Sequence, residues 1–336
     1  MATTINDIAR YARVSISTVS RVINGKPDVK AATIERVQNA IEHLNYSPNA
    51  VARGLVLKQS NVIGYIVPDI KSPNFQELAR GIIDRAKELG YFMMFFDTNH
   101  DDEIMKETIH LLQSKQVDGI ILSFDSAKRD ELISLRKIKF PVVQIYRKSQ
   151  ELTVPTIGID NLSSGYSATK YLLEMGHTVI GHITTGNNTH SGSERLKGYQ
   201  KALEEYGISF REDLVQIGSH SYEAGIKCMD RLLQLSPRPT AVFASHDLMA
   251  IGAYDSIHRH GFSIPSDVSV IGHDNIEMSN MVIPKLTTVE TFKYNLGRES
   301  VGLLIEEMAK KTGEATERIF PTELLVRDSV TRVSPT

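Results

Sequence analysis

From Asn61 onward one pattern recurs: a short apolar run, a stretch of helical periodicity, then another apolar run. The runs at 62–67, 91–96, 119–122 and 142–145 read as strands, and 76–89, 102–115 and 129–138 as the helices between them. A second series begins near residue 157. It has helices at 164–175, 193–206, 222–235 and 247–260, with strands at 179–184, near Leu214, at 241–244 and at 268–272. The tail adds a strand at 286–289, a helix at 294–311 and a strand at 319–326. Such alternation requires parallel sheets covered on both faces by helices. Two series over ~270 residues exceed one hydrophobic core, so the expected fold is α/β, with a two-lobed, doubly wound body.

The first 60 residues differ. Thr4-Ile5-Asn6-Asp7 has the form of a capping box with Asp7 in the acidic place. Ile5, Ile8, Ala9 and Ala12 give the helix it opens an apolar face. After the turn Arg13-Val14-Ser15, Ser15 is an N-cap for a second helix, whose Val19 and Val22 or Ile23 make one buried stripe. Ile16, Ser17, Ser20 and Arg21 point away from that stripe, and short side chains with one Arg suit close approach to base edges. A third helix, about 30–44, closes an all-α helix-turn-helix head. Residues 1–58 hold eight Lys and Arg against four Asp and Glu, whereas the rest holds 30 against 36. A basic head on an acidic body assigns nucleic acid to the head alone. Pro48 can start a further helix over 49–57, too short to stand alone in water.

In open parallel sheets ligands lie beyond the carboxyl ends of the strands. The residues there include Ser72 and Phe75, Asp97, Ser123, Tyr146-Arg147, Asp160-Asn161, Thr184-Thr185, His246-Asp247 and His273-Asp274-Asn275. Carboxylates, an Arg, hydroxyls and aromatic rings form the mixture that sugars need. Asp247 and Asp160 also read as helix caps, and Arg195 could pair with Glu194.

Thr4-Ile5 … Asp7-Ile8-Ala9 … Val14-Ser15 … Thr18-Val19-Ser20-Arg21-Val22 … Asn24-Gly25 resembles the start of LacI/GalR-family transcription regulators. So does Tyr46-Ser47-Pro48-Asn49-Ala50 with Ala52-Arg53-Gly54-Leu55. Arg13 departs from the family's usual Gly in the turn. The resemblance covers nearly the whole chain. It implies a body like a periplasmic sugar-binding protein, with crossovers near 157–163, 288–292 and 318–322. The domains are then 1–47, the helix-turn-helix domain; 48–60, hinge helix and linker; 61–157 with 291–318, one lobe; and 158–290 with 319–332, the other.

On this reading the DNA-binding residues are Thr4, Ser15, Ile16, Ser17, Thr18, Ser20, Arg21 and Asn24 in the head. Asn49, Ala52, Arg53 and Leu55 join them in the hinge, where the family's Leu wedges between minor-groove base steps. The family's effector motifs match Ser72-Pro73-Asn74-Phe75, with Phe75 as stacking ring, then Arg195 with Gly198 and Tyr199, His246-Asp247, and Gly272-His273-Asp274-Asn275. Ser72, Phe75, Ser123, Arg147, Arg195, His246 and Asp274 are therefore the expected effector contacts. Two departures stand out: His246 replaces the usual Asn and His273 the usual aromatic residue.

The implied protein is a homodimeric repressor on a near-palindromic double-stranded operator, controlled by a carbohydrate effector with no further cofactor. A family regulator using a phosphorylated carrier protein as corepressor is the alternative. A plain solute-binding protein or a sugar-active enzyme fits less well. The head and the lack of a secretory leader oppose the first, and the lack of G-x-G-x-x-G, P-loop, G-x-S-x-G and H-E-x-x-H motifs opposes the second. Cys228 is the only cysteine, which points to a cytoplasmic home, and no apolar run reaches membrane-spanning length.

Overall fold

The computed structural model describes residues 3–46, 59–123, 140–146, 154–310 and 316–333, in two compact units, Met1–Asn61 and Val62–Thr336.

The first unit is a three-helix head: α1 (Ile5–Ala12), α2 (Ile16–Ile23) and α3 (Ala31–His43). Ile8, Val19, Val37 and Ala40 are its fully buried core. Asp7 accepts from the Thr4 N–H at 2.9 Å and from its hydroxyl at 2.7 Å. These bonds hold the Asp7 carboxyl below its usual range. Ser15 Oγ accepts from the Thr18 N–H at 3.1 Å. Arg13 ends α1 at φ 53° and ψ 47°, in the left-handed region that Gly occupies without strain.

The body holds two six-stranded sheets. The first runs β11 (Glu317–Phe320), β5 (Thr156–Ile159), β4 (Val142–Ile145), β3 (Gly119–Ser123), β1 (Val62–Val67), β2 (Phe92–Asp97), all parallel. The second runs β12 (Glu323–Leu325), β10 (Thr287–Glu290), β9 (Ser269–Asp274), β8 (Ala241–Ala244), β6 (Ile180–Thr184), β7 (Val215–Ile217), parallel except for β12 against β10. β1, β3 and β4 in one sheet and β6, β8 and β9 in the other are buried nearly throughout, as central strands covered on both faces must be, with His182, Ser269, His273 and Asp274 among their buried polar residues.

Seven described helices cover the sheets: α4 (Pro73–Glu88), α5 (Asp102–Ser114), α6 (Asn161–Glu174), α7 (His190–Glu205), α8 (Tyr222–Leu233), α9 (Asp247–Arg259) and α10 (Lys293–Ala309). Three of them begin about three residues before the apolar periodicity does: α4 with Pro73 in its first turn, α6 at the Asp160 cap and α7 at the Thr189 cap. In each, start chemistry overrides periodicity.

The chain passes between the sheets after β5, after β10 and between β11 and β12. The single strand expected at 319–326 is therefore two strands in different sheets, parted by Pro321-Thr322. Ile319 and Phe320 pair with β5, so they belong to the first lobe, as do Gly158 and Ile159 of β5. The lobe boundaries move to about 160 and 321. The helix expected at 129–138 and the hinge helix lie outside the described residues.

The left-handed backbone at Arg13 costs a side-chain-bearing residue about 1 kcal/mol, which a small core feels. Arg13→Gly should stabilise the head by roughly 0.5–1 kcal/mol. Hydrogen exchange of the Ile8, Val19 and Val37 amides in the full chain should slow about twofold to fivefold; unchanged or faster exchange refutes this.

Candidate functional site

Two surfaces carry chemistry, one in each unit. On the head, Thr4, Ser15, Ile16, Ser17, Arg21 and Asn24 are exposed, and Ile16 keeps 49% of its surface in solvent. Thr18 and Ser20 are half-buried. Thr18 Oγ1 lies 2.8 Å from Ser15 Oγ, and Asn24 Nδ2 donates to the Ser20 carbonyl at 2.8 Å, so both ends of α2 are tied. Arg21 lies 3.0 Å from Asp28, with both side chains more than half exposed. Such a pair is weak and screened, and its guanidinium can exchange partners. Asn49, Ala52, Arg53 and Leu55 lie outside the described residues.

In the body the site forms around Asp274, at the end of β9. Its Oδ2 accepts from Asn74 Nδ2 at 2.7 Å and lies 2.9 Å from His246 Nδ1. Its Oδ1 lies 3.0 Å from His273 Nδ1 and 3.8 Å from Arg195 Nη2. Asp274 is 4% exposed and Arg195 3%. Arg195 Nε donates to Asn161 Oδ1 at 3.0 Å, Nη1 donates to the Ser245 carbonyl and lies 3.3 Å from His246 Nδ1. Arg195 thus turns inward, while Glu194 pairs with Lys197 at 2.6 Å.

Helix packing explains that inward turn. A Cβ on Gly165 would fall 2.4 Å from the Arg195 carbonyl, and one on Gly198 2.2 Å from the Leu162 carbonyl. Only glycine at both places lets α6 and α7 touch backbone to backbone, which brings Arg195 to Asn161. Tyr199 then fixes the helix to the sheet by donating to the Ile180 carbonyl at 2.8 Å.

The other expected contacts divide. Ser72 is buried, and its Oγ has no partner among the described residues. Ser123 is buried against the Tyr65 hydroxyl at 2.9 Å. Phe75 is half-buried and packs on the first-lobe core. Arg147 lies outside the described residues. Asp160 is a cap, accepting from the Ser163 N–H at 2.8 Å. Asp247 is not: it is fully buried and braces the loop after β9, accepting from the Thr288 hydroxyl at 2.6 Å and the Ile276 N–H at 2.9 Å. Its neighbour His246 takes the cap position without a capping bond.

Asn74, Asn161, His220 and Lys293 were not singled out as contacts from sequence, yet each meets the cluster. The His220 ring stacks on His246 with centroids 3.8 Å apart. Lys293, 1% exposed, donates to the Asp274 carbonyl. Asn74 lies inside the Ser72-Pro73-Asn74-Phe75 stretch already read as an effector motif, and its amide there was the available signal.

His220, His246 and Asp274 offer donor atoms within 4.8 Å of one another, which is ligand spacing for a metal. The Arg195 guanidinium beside both His246 and Asp274 opposes a divalent cation there. Burial pushes His246 and His273 down to about 4, so the rings are neutral near pH 7. Burial alone would raise Asp274, but His246, His273 and Arg195 hold its carboxyl well below the usual range. Burial and the Asp274 charge push Asp247 up to about 7. The Arg195 guanidinium and the Asp274 carboxylate therefore stand among neutral imidazoles, with the Lys293 side chain on the Asp274 backbone carbonyl, a set that can grip hydroxyls.

The description "Bacterial regulatory proteins, lacI family" matches residues 4–49, and "Periplasmic binding proteins and sugar binding domain of LacI family" matches 60–327. The chain is 36% identical to catabolite control protein A of Priestia megaterium, over 98% of this chain and 99% of that one. It is 37% identical to the transcriptional repressor CytR of Escherichia coli, over 99% and 98%. Its fold matches the lac repressor dimer bound to operator and the anti-inducer ONPF, with TM-score 0.88 and 28% identity, covering 98% of this chain and 100% of that one. No helix among the described residues is long and apolar enough to cross a membrane.

The buried rings set a pH dependence. A histidine at about 4 in the folded protein, against an ordinary 6.5, takes up a proton on unfolding. Its stabilising contribution is intact above pH 6.5 and is lost as pH falls toward 4. Asp274 acts in the same direction at still lower pH. Asp247, raised from 3.8 to about 7, opposes them: its contribution is full below 3.8 and fades as pH rises through 7. Urea unfolding of the body between pH 6.5 and 5 should show a net loss on acidification, on the order of 1–2 kcal/mol per ring before the Asp247 offset. His246→Asn should remove one ring's share; an unaltered slope in that variant contradicts the assignment.

Proposed function

The chain belongs to the lacI family of bacterial regulatory proteins, and from that premise we propose that it is a cytoplasmic homodimeric repressor released from or recruited to its operator by a sugar. Sequence-specific DNA binding and transcriptional regulation are the family's activity. The observation that carries the sugar reading is the buried Arg195–Asp274 centre at the strand ends, in a body that matches a sugar-binding domain. Planar guanidinium and carboxylate groups grip paired hydroxyls. The chemistry is binding, not turnover.

Two heads related by a twofold axis would read two half-sites of a near-palindromic operator. Arg21, leaving Asp28, would meet a base edge or phosphate, while Ile16 and Ser17 set sequence preference. A sugar that shifts the lobes relative to one another would change the segment from 49 to 57 and hence DNA affinity; ~1–3 kcal/mol of coupling suffices.

The test begins with DNA selected from a randomised pool, then fluorescence anisotropy on the winning duplex with and without a panel of pentoses, hexoses and disaccharides. Arg21→Ala should weaken binding roughly fivefold to a hundredfold, as expected for one lost base contact. Arg195→Ala or Asp274→Ala should abolish the sugar response and leave DNA binding intact. A normal response in both variants overturns the cleft assignment. A response to a phosphorylated carrier protein, with none to sugars, would replace the sugar reading.

A further inference from the structure

Two first-lobe side chains converge on Asp274 from opposite ends of the residue. Asn74, on the first turn of α4, donates to its carboxylate at 2.7 Å across 200 positions of chain. Lys293 opens α10, just past the second passage between the sheets, and its Nζ donates to the Asp274 backbone carbonyl and approaches that of Asn275 at 3.5 Å.

Lys293 moves with the first lobe. A Cβ on Gly81 would fall 2.1 Å from the Tyr294 carbonyl, and one on Gly297 2.2 Å from the Leu78 carbonyl, so α4 and α10 are locked backbone to backbone. Glu77 of α4 holds Nζ at 3.2 Å, and Glu290 lies at 3.9 Å. A lysine only 1% exposed needs those carboxylates and those carbonyls to offset its lost hydration.

Asn74 is 9% exposed, and its Oδ1 has no partner among the described residues. Half of its amide is spent on Asp274 and half is unspent. The Asp274 Oδ2 atom, shared between Asn74 and His246, has little capacity left for another donor. A hydroxyl that reaches it must take the place of Asn74, whose freed amide can then bond the same ligand twice.

We propose that Asn74 and Lys293 are positioning residues that latch the first lobe onto Asp274, holding the cleft closed without an effector, and that an effector hydroxyl releases the Asn74 half of the latch. The effector half of this statement rests on Asp274 being the effector contact; the closed state itself does not.

The test therefore uses no effector. Spin labels at Lys87→Cys and Lys201→Cys, exposed residues of the first and second lobes, report the interlobe distance in the full-length protein; native Cys228 is buried. The otherwise unaltered chain should give one dominant, short distance. Asn74→Ala should at least double the population at longer distance, and Lys293→Met in addition should make that population dominant. Lys293→Arg should restore the short distance, because it too can donate to the carbonyl. A purely structural role would lower the melting temperature in the variants without moving the distances. A long distance in the starting protein, or an unshifted distribution in Asn74→Ala, overturns the latch. Neither result touches the sugar-response test of Asp274→Ala, so the two readings fail separately.

Discussion

A carboxylate with almost no access to water is the fixed point of the body. Asp274 is 4% exposed, and an isolated buried carboxylate would take up a proton rather than remain charged. Here it stays ionised because Arg195, His246, His273 and Asn74 all converge on it. Arg195, His246 and His273 come from α7, the start of α9 and β9 of the second lobe and keep the carboxyl ionised, while Asn74 of α4 adds a bond from the first. Its backbone is strained as well: φ is 112° at Asp274 and 49° at Asn275, where side-chain-bearing residues are uncommon. Around that strained corner Lys293 grips the carbonyl, Arg327 Nη2 donates to Asn275 Oδ1 at 2.6 Å and Asp247 braces Ile276.

The helices can deliver those groups because they pack unusually close. Glycine pairs let α6 touch α7 and α4 touch α10 through their backbones, and α8 meets α9 the same way at Gly225 and Gly252. A packing device and the candidate site thus share residues. Arg195 supplies the carbonyl that Gly165 approaches and also the guanidinium that meets Asp274. Enlarging either glycine would displace the site before it emptied the core.

How much of this was legible beforehand follows from how far apart the interacting residues lie in the chain. The head was readable nearly residue by residue, because caps at Thr4 and Ser15 and a stripe at Val19 act over three or four positions. The central strands were readable because burial on both faces leaves apolar runs. Asp247 was misread as a cap because a carboxylate opening a helix looks the same in sequence whether it caps that helix or reaches Thr288, 41 positions away. The run from 319 to 326 looked like one strand because its residues suit a strand throughout. Only sheet membership, a long-range property, divides it. Asn74 and Lys293 gave no periodic signal, since their partner Asp274 lies 200 and 19 positions away.

Two Arg–Asp pairs show how burial assigns opposite roles to one chemistry. Arg21 and Asp28 approach more closely, at 3.0 Å, than Arg195 and Asp274 at 3.8 Å. Distance alone would rank the first pair stronger. Both Arg21 and Asp28 are more than half exposed, so water and salt screen their attraction and the pair yields readily. Such weak holding suits the proposed role of Arg21, in which its guanidinium leaves Asp28 for DNA. Arg195 and Asp274, 3% and 4% exposed, cannot separate without leaving a charge in a dry interior. Only a ligand that supplies equivalent hydrogen bonds could intervene there, and the proposed hydroxyl-rich effector meets that requirement.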